Sequence, residues 1–190
     1  MSLTWLILLI AVVAIAALVF WMMKQYRKVG PNEVLVVSGR KSIITTPDGG
    51  KQEIGYRFRI GGSSFVNPFT EQASAMPIEV VSLSIRTPEV LSKDGIAIVT
   101  ESSAQVKIDT NEYSIFLATQ NFGSAGSEAV RDVAQTVLEG KIRETVGSMT
   151  VTELYQNRAE FAERVYNAVV RDLASMGLVM LSFALKDISD

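Results

Sequence analysis

The sequence predicts an α+β domain carried behind one membrane-spanning helix, and three observations predict it. The first is a run of 21 residues, Leu3 to Met23, without a charge, followed at once by Lys24, Arg27 and Lys28. The second is period-two alternation of apolar residues through much of the stretch from Glu33 to Ile108. The third is a switch to helical spacing after Asp109, ended by a returning alternation from Val179 to Leu185.

As a helix, the opening run extends roughly 31 Å, the thickness of a bilayer's hydrocarbon core. It differs from a secretory signal peptide, which carries its cations before a shorter apolar stretch and ends at a small-residue cleavage step. Trp5 and Trp21 stand near the two ends, where indole rings favour the headgroup level. Lys24, Arg27 and Lys28 hold the following chain on the cytoplasmic side, leaving Met1 to about Leu3 outside. Each of these cations contributes on the order of 1 kcal/mol near an anionic leaflet. The division expected is a transmembrane helix over 3–23, a basic juxtamembrane linker over 24–31, and a domain over 32–190, β-rich to 109 and helical beyond it with a final strand.

All 18 basic and 20 acidic residues follow the apolar run, so the remainder has a net charge of −2 and no general attraction to nucleic acid. Cysteine is absent, which fits a reducing compartment and removes disulfides, thiolate zinc sites and palmitoylation. Histidine is also absent, which excludes Ser-His-Asp triads and imidazole ligands or bases within this chain. No cofactor, metal or small-molecule substrate is expected.

Within the domain, Val29-Gly30-Pro31-Asn32 reads as a turn before a short strand, Glu33 to Val37. Thr46-Pro47-Asp48-Gly49-Gly50 is a second turn. Tyr56 to Ile60 then alternates, with Arg57 and Arg59 sharing one face. Gly61-Gly62-Ser63-Ser64 is expected to end that strand, and Phe65 to Phe69, interrupted by Pro68, to form an edge or loop. A change of phase between Ile78 and Ile85 suggests a bulge near Val80 and Val81. The longest strand runs from Ile96 to Ile108, with Ile96, Ile98, Thr100, Ser102, Ala104, Val106 and Ile108 on one face, as in a curved antiparallel sheet.

Thr110-Asn111-Glu112 opens a short helix, with Tyr113, Phe116 and Leu117 on its apolar side, closed by Asn121-Phe122-Gly123. Ser127 caps a longer one whose buried face is Val130, Val133, Ala134, Val137, Leu138, Ile142 and Val146. Thr150-x-x-Glu153 is a capping box, and Asn157 a weaker second start. Together they launch a helix buried through Phe161, Val165, Val169, Leu173 and Met176, and Gly177 precedes the last strand.

Tyr26 to Gly39 (YRKVGPNEVLVVSG) resembles the opening of flotillins, especially bacterial flotillin-like proteins, in the SPFH or band 7 family that also holds stomatins and prohibitins. The resemblance continues through Gly61-Gly62 with Phe65-Val66 and Pro68, Ala104 to Ile108, and Leu138-Glu139-Gly140. It is densest at Val146 to Val151 with Glu153-Leu154-Tyr155 and Asn157-Arg158, and at Ser182-Phe183 with Lys186-Asp187-Ile188. It implies an SPFH domain on the cytosolic leaflet. Such a domain associates with its own kind and organises raft-like microdomains in which other membrane proteins gather as clients. Some SPFH relatives instead serve as accessory regulators of a membrane protease or transporter. Flotillins continue into a Glu/Ala-rich coiled coil, whereas this sequence stops at Asp190, so the resemblance implies either a chain cut before that segment or an unusually short family member.

Candidate sites are few. Ser92-Lys93-Asp94 is the one tempting catalytic cluster, and Asp94-Gly95 explains it equally as a turn. Gly123-Ser124-Ala125-Gly126 precedes a helix but lacks the lysine and threonine of a P-loop. Asp48, Asp94, Asp109 and Glu112 do not approach calcium-loop spacing. Phe65, Val66, Pro68 and Phe69 either touch the membrane shallowly or fill the core. Arg57 and Arg59 suit lipid headgroups, the carboxylates of a neighbouring subunit, or simple solvation.

Overall fold

The computed structural model describes residues 3–24, 26–46, 49–67, 70–123 and 125–189. The chain divides into two compact units, one made of 1–43 and 53–75, the other of 44–52 and 76–190.

The first unit contains α1 (Leu3–Lys24) and most of the sheet ordered β2-β1-β3, formed by β1 (Tyr26–Thr45), β2 (Lys51–Phe65) and β3 (Gln72–Pro77). Two expectations are corrected here. The linker over 24–31 does not form, because β1 begins at Tyr26 and runs through Pro31. Val29 is buried with Leu35, Val37 and Val66, with Ala73 packed against them, and this apolar contact keeps the segment extended. Val34 to Val37 are all buried, so β1 is covered there on both faces. Nor does Gly61-Gly62 end β2. Both glycines adopt positive φ, 62° and 83°, and the strand continues past them to Phe65.

The second unit holds a four-stranded antiparallel sheet and four helices. Its strands are β4 (Val81–Arg86), β5 (Val90–Leu91), β6 (Ala97–Ile108) and β7 (Leu178–Ser189). Strand β6 is central, paired with β4 and β5 along one edge and with β7 along the other. Its inner face alternates as predicted from Ile98 to Ile108, every second residue being buried, whereas Ile96 lies before the strand and is 46% exposed. The bulge expected at Val80 and Val81 is instead a break between β3 and β4, and Val80 is exposed.

Helices α2 (Glu112–Phe122), α3 (Gly126–Ser148), α4 (Val151–Gln156) and α5 (Arg158–Ser175) follow β6. Asn111 caps α2, its Oδ1 accepting the Tyr113 N–H at 3.2 Å, and Gly123 ends it with φ 55°. The buried face of α2 is Ile115, Phe116, Ala118 and Phe122, so Tyr113 and Leu117 are only half-buried flanks. Helix α3 begins at Gly126 after Ala125, one residue before the predicted cap Ser127. Val130, Ala134, Leu138, Ile142 and Val146 are its buried stripe, and Val133 and Val137 border it.

The capping box forms as predicted: Thr150 Oγ1 accepts the Glu153 N–H at 3.3 Å and Glu153 Oε2 accepts the Thr150 N–H at 2.8 Å. The Thr150 N–H and then the Thr150 hydroxyl, which donates to Glu153 Oε2 at 3.0 Å, hold the Glu153 carboxyl below its ordinary range. One helix was expected from this start, but the chain breaks at Asn157 into α4 and α5. Phe161, Val165, Val169 and Leu173 of α5 are fully buried, while Met176 lies beyond it, half-buried. Helix α5 packs on β7 and α3, and α3 packs on β4, so the two long helices close the inner face of the sheet. Each of these large side chains contributes about 1.5–3 kcal/mol by leaving water.

Candidate functional site

Every described side chain of α1 is apolar and exposed, from Trp5 at 70% through Leu9 at 64% to Phe20 at 63%. No polar stripe interrupts it, so nothing in its own sequence marks a face for water or for a protein core. Among the described residues no helix is long and apolar enough to cross a membrane. The α1 backbone itself runs for 22 residues with Lys24 as its single charge. The side chains of Trp21, Lys24, Arg27 and Lys28 lie outside the described ones.

A second feature of the first unit is a cleft of about 480 Å³. Its walls carry Arg57 and Arg59 of β2, Ser63 and Ser64 at the end of that strand, and Asn67 and Glu71 from the segment before β3. Arg57 and Arg59 are two residues apart on a strand and therefore share a face, as expected. The two differ in their surroundings. Arg57 Nη2 meets Glu71 Oε2 at 3.0 Å, and the carboxylate is only 9% exposed and also accepts the Asn67 N–H at 3.1 Å. Arg59 is exposed and forms no ion pair among the described residues.

The floor of the cleft depends on a glycine. Gly39 has φ 116°, and a Cβ there would run into the Thr70 carbonyl oxygen, so the close approach of the segment before β3 to β1 at this point requires glycine. Ser38 Oγ donates to the Gln72 carbonyl at 3.3 Å beside it. Glu71 and Gly39 were not legible as site residues. Their partners lie 14 and 31 residues away in sequence, and only the positive-φ glycine carries any local signal.

The remaining predicted residues fall as follows. Of the two readings open for Val66, the structure has the core one: it is buried in the β1 cluster with Val29, Leu35 and Val37, and Ala73 packs against them. The side chain of Phe65 lies outside the described ones, and Pro68 and Phe69 lie outside the described residues. Ser92-Lys93-Asp94 is consumed by structure. Ser92 Oγ accepts the Ile96 N–H at 3.2 Å, Lys93 N–H donates to the Met149 carbonyl at 3.0 Å, and Asp94 Oδ2 accepts the Val151 N–H at 3.2 Å. This turn thus ties β5–β6 to the start of α4. Ser124 lies outside the described residues, and the start of α3 has no side-chain cap. Among the described residues no group of acidic side chains is arranged to hold a metal ion.

The SPFH domain / Band 7 family profile matches residues 27–190. Flotillin-like protein FloT of Bacillus subtilis is 36% identical over 185 residues, covering 96% of this chain and 35% of that protein. Flotillin-1 of Drosophila melanogaster is 32% identical over 165 residues, covering 85% of this chain and 35% of its own length. Human flotillin-2 is 32% identical over 162 residues, with 85% and 36% covered. The chain therefore spans about a third of the length of these relatives. The matched region takes in both units, the β-rich one with the cleft and the one in which α3 and α5 cover the sheet, and the chain belongs to the SPFH domain / Band 7 family.

Proposed function

We propose that this chain is a membrane-anchored, non-enzymatic scaffold of the flotillin kind. Helix α1 crosses the bilayer with the short N-terminal end outside and the SPFH domain at the cytoplasmic face. Copies associate side by side and gather other membrane proteins in raft-like microdomains. The observation that supports this most is the surface of α1, apolar and exposed on every described side chain, in a chain of the SPFH domain / Band 7 family whose similar relatives include flotillins. Such a surface is unfavourable in water and matches hydrocarbon. Trp5 and Trp21 anchor its ends, Lys24, Arg27 and Lys28 bias its orientation, and Phe65, Pro68 and Phe69 add a shallow contact.

Two measurements test the proposal. On flotation of lysates through a density gradient, the full chain is expected with the lipid fraction and a form lacking Met1 to Met23 mostly in the soluble fraction. If the shortened form floats as completely as the full chain, α1 is not the anchor. Crosslinking in native membranes followed by sizing is expected to give species larger than dimers, and a strict monomer at high density in the membrane removes the scaffold.

A further inference from the structure

We infer that the cleft of the first unit is a binding site for a phosphate group, with Arg59 as its principal cation. The chemistry of the walls sets the ligand class. Arg59 and Arg57 bring two guanidiniums from one strand face, and Ser63, Ser64 and Asn67 add hydroxyl and amide groups. Among the described residues no apolar side chain larger than a threonine methyl lines it, and the polar lining favours a polar ligand. Among the described residues the one carboxylate of the lining, Glu71, is already bound to Arg57 and to the Asn67 N–H. Arg59 adds a second cation beside this pair.

Glu71 also fixes Arg57 in place, so ordering of this guanidinium is already present before a ligand arrives. Arg59 supplies the planar fork of donors that suits a phosphate's oxygens. The volume of about 480 Å³ is that of a small-molecule site and exceeds a bare phosphate ion, leaving room for the polar remainder of a phosphorylated headgroup. Gly39 lets the Thr70 carbonyl lie against β1 at the edge of the cleft, since any side chain there meets that oxygen.

A membrane phospholipid and a soluble phosphate present the same oxyanion, and only the first depends on the anchoring proposed above. Phenylglyoxal modification of arginine, read by mass spectrometry on the full chain reconstituted in phosphatidylcholine vesicles at fixed ionic strength, separates the two. Arg86, which is 75% exposed beside Glu101 in the other unit, is the internal reference. Inorganic phosphate, or phosphatidic acid added to the vesicles, is expected to slow modification of Arg59 about ten-fold while Arg86 changes less than about two-fold.

Protection by inorganic phosphate assigns a site for soluble phosphate compounds, and protection by phosphatidic acid alone assigns a lipid headgroup. In either case Ser64→Ala is expected to weaken the protection of Arg59 while leaving the melting temperature unchanged. Absence of protection in both arms, or equal protection of Arg86, overturns the inference. The flotation test above reads the anchor independently, so loss of one result leaves the other standing.

Discussion

At the scale of single residues, the buried hydroxyls of β6 separate polar groups that hold the fold from one that weakens it. Thr87 Oγ1 and Thr100 Oγ1 lie 2.9 Å apart, both residues are almost wholly buried, and the Thr100 N–H donates to Thr87 Oγ1 at 3.0 Å. Thr87→Val leaves that N–H buried without its acceptor. It is expected to lower unfolding free energy by about 1–3 kcal/mol, read by thermal melting of the full chain in detergent. Ser102 stands in the opposite situation: it is buried between Ile85 and Leu185 in register, and its Oγ has no hydrogen-bond partner among the described residues. Ser102→Ala is expected to leave stability unchanged or raise it by up to about 1 kcal/mol, and a clear loss contradicts this account. Gly177 is a third case. Its φ is 81° and a Cβ would strike the Ser114 carbonyl oxygen, so Gly177→Ala is expected to cost at least about 2 kcal/mol on the same measurement.

Elements show where periodicity suffices and where it misleads. Helix α5 was legible because Phe161, Val165, Val169 and Leu173 recur every four residues, and all four are fully buried. In β7 the bare alternation of Val179, Leu181, Phe183 and Leu185 suggests one common face, yet register shifts against β6 divide them. Val179 pairs beside Lys107 on the outer face, Phe183 beside Ala104 on the inner one, and Leu181 is exposed. A bulge changes the facing without changing the composition, so no count of residues reveals it.

Helix α4 depends on two acceptors, Thr150 Oγ1 and Asp94 Oδ2, at its first N–H groups. Thr150→Ala is expected to cost about 1 kcal/mol. Glu153 adds a pH dependence of known sign, because its carboxyl pKa is lowered in the folded state. Its contribution is fully present above the ordinary value of 4.5 and fades as pH falls through the lowered folded value. Melting curves of Glu153→Gln are therefore expected to lose part of the acid-limb slope seen in the parent chain, and identical slopes in the two proteins contradict the assignment.

For the whole molecule, the sequence by itself determined the α+β class, the uncharged opening run, the central strand β6 and the buried stripes of α3 and α5. Each of these depends on local periodicity or on length of apolar sequence, both of which are written along the chain. The same is true of the lack of histidine and cysteine, and of the family likeness carried by short motifs in the right order. Tertiary structure alone decided that β1 absorbs the expected linker and that Val66 belongs to the core. It also decided that Ser92-Lys93-Asp94 serves a turn, and that Arg57 is held by Glu71 while Arg59 stands free of ion pairs among the described residues. The physical reason is the same each time. These outcomes depend on contacts between residues distant along the chain, where burial and pairing outweigh local preference, and such contacts exist only once the strands have found their register.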